Sequence, residues 1–413
     1  MSKLQAPRGT FDVLPDDADA REVVEREARR VLEGAGYRRI ETPTFEATEL
    51  FARGVGEATD IVRKEMFTFE DQGGRSMTLR PEGTAPVCRA YVEHGMHKLP
   101  QPVRLWYLSS FYRHEAPQAG RYRQFWQVGA EAIGSDDPAV DAETIVLLAD
   151  VLDALNAHGV RLRVSSLGSP ETRAAYREEL QAFLRAHEER LPRDVRDRIE
   201  LNPLRAFDSA DAAEVMRNAP KLLDRLAPQD AEHFGQVRAL LDAADVPYDV
   251  DPTLVRGLDY YTRTVFEFES TELGAQSGVG GGGRYDRLVE MIDGPPTPGC
   301  GFAAGVERVL LAADPPPVAP PPVDLYVALA DPAERAAAFA LTGEARRAGL
   351  QAQMELAGRS VKGQMKNAHR VGAHFVAILG GDSTELKDME SGEQRSVAAD
   401  TVVREVLRGR GIG

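Results

Sequence analysis

The sequence predicts an α+β fold in which an antiparallel sheet with flanking helices is interrupted by a helical insertion and followed by a separate α/β domain. Two apolar and aromatic runs, Val103–Tyr112 and Phe125–Gly129, flank a polar loop, which is typical of a long antiparallel hairpin. Ala, Leu, Glu and Arg dominate at helical spacing from Ser169 to about Ala244. Strand and helix patterns alternate as β-α-β-α-β from Asp324 onward, which predicts a small parallel or mixed sheet.

The chain before the hairpin is predicted to contain two helices and three strands. Pro43 interrupts an alternating run and belongs on a sheet edge, a bulge or an interface rather than in the middle of a sheet. Two further strands are predicted to face each other across a glycine-containing turn. The predicted elements are a helix over Asp16–Gly34, strands over Tyr37–Glu46, Met66–Glu70 and Ser76–Arg80, and a helix from Ala85 to about Gly95.

The chain beyond the hairpin continues with both kinds of pattern. In the main part these are a helix over Asp137–Ala157, strands over Arg161–Ser166 and Val265–Glu269, a glycine run at Gly278–Gly283, a helix over Arg284–Ile292, and a stretch at Gly299–Gly305 that leads into a helix carrying Glu307 and Arg308. In the last part they are strands over Asp324–Ala330, Gln351–Glu355 and His374–Leu379, and helices over Pro332–Ala348 and Ser360–Val371.

Composition divides the chain into parts. Residues 169–248, called the helical segment below, interrupt a main domain formed by residues 1–168 and 249–314. Prolines dominate residues 315–322, which predicts a stiff, extended linker to a last domain at residues 323–413. A length of 413 residues agrees with two or three domains.

Composition also narrows the class of protein. No apolar run approaches the ~18 residues of a membrane span, and Met1–Pro15 lacks the layout of a signal peptide, so we expect a cytoplasmic protein. A net charge of −15 argues against coating of nucleic acid by bulk electrostatics, although it allows a local basic patch. Two cysteines are too few for a disulfide framework or a cysteine-based zinc site.

The ends of the hairpin strands carry the most specific chemistry. A guanidinium, carboxylates and amides gather there, on Arg113, Glu115, Gln124, Gln127 and Glu131. Such a set of side chains could bind a polyanion and a small polar ligand next to each other. A surface hairpin with solvated charges fits the same residues equally well, because short motifs carry a real false-positive risk.

Two other stretches also allow two interpretations. In the run Arg80–Thr84, Glu82 and Thr84 could accept hydrogen bonds from a primary ammonium, or Glu82 could simply cap the following helix. In the stretch that holds Arg256, Tyr260 and Tyr261, the tyrosines pack in a core, or they line a planar cavity while Arg256 meets phosphate oxygens.

The glycine-rich stretches exclude some sites and leave others open. Gly280–Gly283 with Arg284 matches neither a P-loop nor a Rossmann motif, and it is either bare backbone that permits close approach or a flexible turn. Arg308 either stacks on a base or meets a phosphate, or it forms a surface ion pair with Glu307. His94 and His97 lack the H-E-x-x-H pattern of a zinc site, and no esterase motif occurs.

Taken in order, these pieces resemble the signature motifs of class II aminoacyl-tRNA synthetases, and over nearly its whole length the chain resembles bacterial histidyl-tRNA synthetases. GYRRIETPTFE, with Pro43, resembles the dimer-interface motif, FYRHE the second motif and GFAAGVER the third. RPEGTAP resembles the loop that holds the ammonium of the amino acid. LVRGLDYYTRTVFEF and GGGRYDRLVEMI resemble segments of the histidine enzymes. The resemblance implies a class II catalytic domain, the helical insertion, a C-terminal α/β anticodon-binding domain and a homodimer.

The resemblance also implies a histidine–tRNA ligase, which forms histidyl-adenylate from L-histidine and ATP and passes histidine to tRNA(His). Mg²⁺ would enter with ATP rather than through a protein cluster. The residues implied as catalytic are Arg113 and Arg256. Those implied for histidine are Glu82, Gly83, Thr84, Arg113, Gln127, Glu131, Arg256, Tyr260 and Tyr261, with Glu131 and Tyr261 at the imidazole, and those for ATP are Arg113, Glu115 and Arg308.

Contacts to tRNA are implied in two places. The first is the hairpin loop, at Gln118, Arg121 and Arg123, where Ala116 departs from the usual arginine and Trp126 from a common histidine. The second is a basic helix face in the last domain, although a charged helix face is often only solvated surface. Its residues are Arg359, Lys362, Lys366 and Arg370.

A non-catalytic regulatory subunit of histidine biosynthesis is the alternative. Such proteins resemble these synthetases but lack the anticodon-binding domain and the histidine-specific arginine. This chain keeps both, at residues 323–413 and at Arg256.

Overall fold

The computed structural model describes residues 3–56, 59–315, 322–380 and 383–411. These form two compact units, Met1–Pro316 and Pro317–Gly413, and the helical segment belongs to the first. Most of the linker predicted at residues 315–322 lies outside the described residues. None of the helices that the described residues form combines the length and apolar character of a membrane span.

The first unit contains long and short elements of both kinds. Its helices are α1 (Pro15–Gly34), α2 (Thr48–Val55), α3 (Thr84–Glu93), α4 (Pro138–Ala154), α5 (Pro170–Ala186), α6 (Arg193–Arg196), α7 (Ala213–Met216), α8 (Pro228–Ala243), α9 (Leu288–Met291) and α10 (Val306–Ala312). Its strands are β1 (Arg38–Arg39), β2 (Phe45–Ala47), β3 (Phe67–Glu70), β4 (Ser76–Leu79), β5 (Val103–Tyr112), β6 (Gln124–Ile133), β7 (Val160–Ser166), β8 (Asp249–Val250), β9 (Thr262–Ser270), β10 (Gly278–Arg284) and β11 (Gly299–Gly305).

A large sheet dominates the first unit. Among the described residues its strand order is β1-β5-β6-β11-β10-β9-β7-β8, antiparallel throughout except at the two edge pairs β1/β5 and β7/β8. The predicted α+β class is therefore confirmed, and so is the hairpin of β5 and β6. The second hairpin strand runs to Ile133, beyond the predicted Gly129, so Glu131 lies within it opposite Leu105 on one side and Gly301 on the other.

The strand predicted over Tyr37–Glu46 is broken around Pro43, as expected, but its two pieces join different sheets. Its first part, β1, pairs with β5 in the large sheet, whereas β2 joins a small antiparallel sheet of order β2-β4-β3. Pro43 lies between the two pieces, where a residue without a backbone N–H cannot continue a ladder. The facing strands predicted around the turn before residue 76 are confirmed as β3 and β4.

The helix predicted over Arg284–Ile292 is mostly wrong. Arg284 ends strand β10, and only α9 is helical in this stretch. The Arg284 side chain is fully buried and donates from Nε to Oδ1 of Asp141 on α4 at 2.9 Å. A buried arginine needs such a carboxylate, and that requirement outweighs the local helical pattern.

Helix α4 packs on the large sheet and joins it to the helical segment. It contacts β6, β10, β11 and α8. Its fully buried Asp141 also accepts a hydrogen bond from the hydroxyl of Thr264 at 2.6 Å, and it lies 2.8 Å from Nε2 of His233 on α8. One buried carboxylate therefore holds together two central strands and two helices.

The second unit is a smaller mixed α/β structure. Its elements are β12 (Leu325–Leu329), α11 (Arg335–Arg347), β13 (Ala352–Met354), α12 (Val361–Arg370), β14 (Phe375–Gly380), β15 (Ser383–Asp388), β16 (Gln394–Val397) and α13 (Val402–Arg410). In the described part of the chain the strand order is β13-β12-β14-β15-β16, with the first two pairs parallel and the last two antiparallel. The predicted β-α-β-α-β series is present, and β15, β16 and α13 were not predicted.

Candidate active site

A cavity on the large sheet gathers most of the predicted site residues. Its empty space, including the part that is open to solvent, amounts to about 1140 Å³. The predicted residues that line it are Glu82, Gly83, Thr84, Arg113, Glu115, Arg121, Gln127, Arg256, Tyr260, Tyr261 and Arg308.

The turn before α3 places a carboxylate in the cavity wall. Glu82 accepts hydrogen bonds from the backbone N–H groups of Thr84 at 2.8 Å and Ala85 at 2.9 Å, so it caps the helix as one interpretation predicted. The hydroxyl of Tyr260 also donates to it, at 3.3 Å. Burial raises the pKa of Glu82, although these donors oppose the rise. The cap therefore fixes the carboxylate in the wall.

Glu131 lies behind the cavity wall rather than on it. Its carboxylate is fully buried and accepts hydrogen bonds from the hydroxyls of Thr84 at 2.7 Å, Tyr285 at 2.6 Å and Tyr107 at 3.4 Å. Burial raises the pKa of Glu131 to about 8, against these hydrogen bonds. All three hydroxyl-bearing side chains line the cavity, so Glu131 orients the polar groups that a ligand meets.

Glycines make room for this cluster. A Cβ at Gly129 would lie 2.3 Å from Cζ of Tyr107, and one at Gly301 would lie 1.8 Å from Oε2 of Glu131. In the same way a Cβ at Gly281 would lie 3.1 Å from the guanidinium carbon of Arg256. The flexible turn considered for Gly280–Gly283 is wrong, because these residues form strand β10 and let the protein's own groups approach closely.

Among the described residues, four arginines line the same cavity, and three of them, Arg113, Arg256 and Arg308, were expected to meet phosphate. Arg113 donates from Nε to the carbonyl of Pro81 at 2.9 Å and lies 5.3 Å from the ring centre of Phe125. Arg308 is half-buried, and burial together with the neighbouring Arg121 lowers its pKa. The third is Arg256. Guanidinium groups gathered in this way suit phosphate oxygens.

Arg256 is held by a carboxylate that the sequence did not single out. Its Nη1 lies 2.7 Å from Oε1 of Glu267 on β9. Burial lowers the pKa of Arg256, but Glu267 raises it, and the net pKa lies above the ordinary value. The ion pair leaves Nε of Arg256 buried with no hydrogen-bond partner among the described residues.

Two buried polar atoms in the cavity therefore lack protein partners. Besides Nε of Arg256, the side-chain oxygen Oε1 of Gln127 has none within the described part of the chain. Leaving a buried donor or acceptor unsatisfied costs about 1–3 kcal/mol, and because neither atom is exposed, a ligand group can reach it only after the side chain turns. Both residues line the cavity.

The hairpin loop does not present its predicted tRNA residues as one group. Gln118 and Arg121 exchange backbone hydrogen bonds at the loop tip, at 3.1 and 2.9 Å. The Arg121 side chain lies 3.3 Å from Glu115 and lines the cavity, whereas Gln118 and Arg123 are not among the lining residues. Arg123 packs its aliphatic part where a Cβ on Gly9 would otherwise lie.

The surface ion pair considered for Glu307 is not what the structure shows for that carboxylate. Glu307 pairs with Arg21 of α1 at 2.6 Å and accepts the backbone N–H of Trp126 at 3.0 Å. The contact of Trp126 with Glu307 is therefore made by its backbone N–H and not by its side chain.

Some lining residues were missed at the sequence level. Glu267 stands between apolar strand residues, which is a usable signal for an inward carboxylate. Tyr285 follows the glycine run, where an aromatic hydroxyl is another signal. Tyr107 lies in an apolar strand without a local signal. No group of three His, Cys, Asp or Glu side chains in the described ranges could hold a metal ion.

The basic face of the second unit is present, with one change. Lys362, Lys366 and Arg370 are exposed on α12, while Gln364 and Ala368 of the same helix are buried. Arg359 precedes the helix and pairs with the buried Glu355 at 3.2 Å.

Comparison with known proteins agrees with this geometry. Residues 9–309 match the family model described as histidyl-tRNA synthetase. The chain belongs to the histidyl-tRNA synthetase family. A histidine–tRNA ligase of Halothermothrix orenii is 46% identical over 415 residues, covering 98% of this chain and 99% of the relative. One of Desulfitobacterium hafniense is 48% identical over 405 residues, covering 95% of each. The crystal structure of apo histidyl-tRNA synthetase from S. aureus matches with a TM-score of 0.80 and 34% identity over 98% of this chain and 100% of that chain.

One further solved structure bears on the regulatory alternative. It is described as an ATP phosphoribosyltransferase regulatory subunit/histidyl-tRNA synthetase from Bacillus halodurans, and it matches with a TM-score of 0.64 and 23% identity over 92% of this chain and 98% of that chain. At that identity the likeness shows the fold alone. Because histidyl-tRNA synthetase relatives at 46% and 48% identity are named as ligases, the regulatory alternative is not favoured.

Proposed function

We propose that the cavity of the first unit carries out the reaction of this family, histidine–tRNA ligation. L-Histidine and ATP form histidyl-adenylate and pyrophosphate, and the histidyl group then passes to the 3′ end of tRNA(His). The observation that carries this assignment is that one cavity brings acceptors for an ammonium, such as Glu82 and Thr84, beside guanidinium groups for a phosphate, such as those of Arg113 and Arg256. An amino acid beside a phosphate needs both sets of groups.

We assign the ammonium of histidine to Glu82, Thr84 and Gln127. An ammonium has three donors, and these side chains provide a carboxylate, a hydroxyl and an amide oxygen. Glu82 is held by its cap hydrogen bonds, so the acceptor is in position before the ligand binds. Gly83 lies between Glu82 and Thr84 in the sequence, and because it has no side chain it leaves room for the ring of Tyr107.

We assign the imidazole to the part of the cavity lined by Tyr260 and Tyr261. Glu131 acts there through the hydroxyls of Tyr107 and Tyr285, which it orients. A site whose buried polar groups pair with both imidazole nitrogens leaves those groups unpaired when another side chain enters. Such a site can reject competitors by about 10⁴-fold without editing.

We assign ATP to the arginines. Arg113 binds the α-phosphate, Arg308 holds the γ-phosphate end and the adenine, and Arg256 stabilises the charge that builds up on the α-phosphate. Glu115 lies beside Arg113 and Arg121, at 3.8 and 3.3 Å, and orients them.

The chemical step needs positioning more than acid–base catalysis. The histidine carboxylate, ionised at neutral pH, attacks the α-phosphorus, and the bond from that phosphorus to the pyrophosphate oxygen breaks. No general base is required. The arginines supply the preorganised positive charge that this transfer depends on.

Mg²⁺ fits as a companion of ATP. It favours one or two carboxylates together with substrate phosphates over a cage made only of protein. Glu115 and Glu267 are carboxylates on the cavity wall and are the residues that would hold it. When bound, the ion would neutralise part of the phosphate charge.

We propose tRNA(His) as the partner of both units. The acceptor end would meet the loop at Gln118 and Arg123, and the anticodon stem would meet Arg359, Lys362 and Lys366.

Lys362→Glu is expected to lower kcat/KM for tRNA charging about tenfold and to leave histidine-dependent pyrophosphate exchange unchanged, because phosphate contacts depend on charge. Arg335→Glu, the same charge change on an exposed residue of α11, is the control. Equal loss of charging and exchange in Lys362→Glu would contradict the assignment.

We also propose a cytoplasmic homodimer. Phe45 and Phe69, on the small sheet beside Pro43, are 51% and 42% exposed and their ring centres lie 6.0 Å apart. An exposed aromatic pair next to a dimer-type motif supports a partner surface. Sedimentation should give a dimer at micromolar concentration, and a monomer would reject the proposal.

Pyrophosphate exchange with each of the amino acids tests the main assignment. Histidine alone should support ATP–pyrophosphate exchange. Absence of exchange with histidine, or equal exchange with another amino acid, would reject it.

A further inference from the structure

The stretch that carries Arg256, Tyr260 and Tyr261 has no regular structure of its own. It lies between β8 and β9, and residues 251–261 form neither a helix nor a strand. Backbone carbonyls outside a ladder need partners from elsewhere in the protein. The position of the tyrosines therefore depends on groups from other parts of the chain.

Arg173, on α5 of the helical segment, supplies two such partners. Its Nη1 donates to the carbonyl of Tyr261 at 2.7 Å, and its Nη2 donates to the carbonyl of Asp259 at 3.2 Å. A planar guanidinium can bind two acceptors at a defined spacing, which an ammonium cannot do. Asn202 of the same segment donates to the side chain of Asp259 at 3.3 Å.

Helix α5 is itself fixed next to this contact. Ser169 caps it, with its hydroxyl accepting the backbone N–H of Thr172 at 3.2 Å. The backbone N–H of Ser169 donates to the fully buried Asp230 of α8 at 2.8 Å. Arg263, just beyond the tyrosines, lies 3.4 Å from the other oxygen of Asp230. The first turn of α5, which carries Arg173, is thus anchored on both sides.

We infer that Arg173 is a positioning residue for the histidine pocket, through which the helical segment sets the place of Tyr261 and Tyr260. This inference rests on the proposed placement of the imidazole against these tyrosines. Arg256 has its own support in Glu267 at 2.7 Å. Loss of Arg173 should therefore loosen the amino-acid pocket more than the phosphate contacts.

Arg177 offers a matched control one turn further along α5. It also donates to two backbone carbonyls, those of Glu200 at 2.5 Å and Leu201 at 2.9 Å, but both lie within the helical segment. Replacing it removes the same kind of bond while leaving both carbonyl hydrogen bonds of Arg173 to the stretch that carries the tyrosines.

The test measures KM for histidine, KM for ATP and kcat in pyrophosphate exchange, with active sites titrated and thermal midpoints recorded. Arg173→Met should raise KM for histidine about tenfold, the order of effect carried by hydrogen bonds to a charged group, and change KM for ATP less. Arg173→Lys should raise it by a smaller factor, because an ammonium keeps the charge and donors but cannot hold both carbonyls in the planar geometry of the guanidinium. Arg177→Met should stay within about twofold of the parent protein.

Several outcomes would overturn the inference. An unchanged KM for histidine in both Arg173 variants would do so, and an equal rise in Arg177→Met would show a general effect of the helical segment. If Arg173→Met does not fold, Arg173→Lys decides by the same KM comparison. Histidine-dependent exchange by the parent protein tests the proposed function separately.

Discussion

On one side of the cavity, proposed for histidine, Glu82 and Glu131 are buried and their oxygens already accept hydrogen bonds from the protein. On the other side, proposed for phosphate, Arg113, Arg256 and Arg308 line open space. We call these the histidine side and the phosphate side. The first holds buried carboxyls whose pKa values burial raises, and the second gathers guanidinium groups around the cavity.

This difference in burial and charge has a physical consequence for each side of the cavity. A buried carboxyl is tolerated only if donors surround it, so the histidine side is part of the folded core and its geometry exists before the ligand arrives. Clustered arginines repel one another, and substrate phosphates relieve that repulsion. We therefore expect changes on the histidine side to affect stability and binding together, and changes on the phosphate side to affect mainly the reaction.

The largest effect is expected on the phosphate side. Arg256→Ala should lower kcat for histidine-dependent exchange by about 10³-fold, because a preorganised cation at the transferred phosphoryl group is lost. The thermal midpoint should fall less than in Glu131→Ala, since the ion pair with Glu267 keeps about a fifth of its side-chain surface exposed, whereas Glu131 is fully buried. Exchange kinetics and thermal unfolding measure the two effects.

Arg161→Ala provides the matched control for that variant. It removes an exposed ion pair with Asp249 at 2.8 Å, on strands β7 and β8. Its activity should equal that of the parent protein. A fall in the thermal midpoint of Arg256→Ala as large as that of Glu131→Ala would show that the phosphate side is equally part of the folded core, and would break the comparison.

A smaller effect on the reaction, but a larger one on stability, is expected at Glu131. Glu131→Ala leaves the hydroxyls of Thr84, Tyr107 and Tyr285 without their acceptor and opens a cavity. It should raise KM for histidine about 10- to 100-fold and lower the free energy of unfolding by about 2–4 kcal/mol. Denaturant unfolding and exchange kinetics check both numbers.

Glu143→Ala is the comparison for that loss. Glu143 pairs with Arg104 at 3.4 Å in a half-exposed setting on α4 and accepts the hydroxyl of Tyr37 at 3.3 Å, so its removal should cost about 1 kcal/mol. A Glu131→Ala protein as stable as Glu143→Ala would mean that the histidine side is not a structural part of the core.

The smallest effect concerns pH. The pKa of Glu131 lies at about 8 in the folded protein, above its ordinary value of 4.5, so the native state binds more protons than the unfolded state between these values. The contribution of Glu131 to stability is therefore fully present below about pH 4.5 and is lost as pH rises through about 8. Glu131→Gln, which does not titrate, should flatten the fall in thermal midpoint over this window. Parallel curves for the two proteins would contradict the shift.

Much of the fold could be predicted from local patterns. The hairpin of β5 and β6, the β3/β4 pair, the helix after the RPEGT turn and the β-α-β-α-β series each depend on periodicity or turn chemistry over a few residues. The errors have tertiary causes. The pattern around Pro43 could not reveal that β1 and β2 join different sheets, and the helical spacing after Arg284 could not reveal that its guanidinium is bound by Asp141, which is 143 residues away along the chain.

By itself, then, the sequence determined the α+β class, the order of its elements and the motifs that carry Arg113, Arg256 and Arg308. Only the tertiary structure decided that Glu131 lies behind the wall, that Tyr285 meets it from 154 residues away, and that Arg173 reaches the carbonyl of Tyr261. The physical reason is the separation along the chain over which each kind of interaction acts. Backbone propensities and turn residues act between neighbours, whereas burial, hydrogen-bond satisfaction and charge pairing are set by whichever side chains the folded chain brings together.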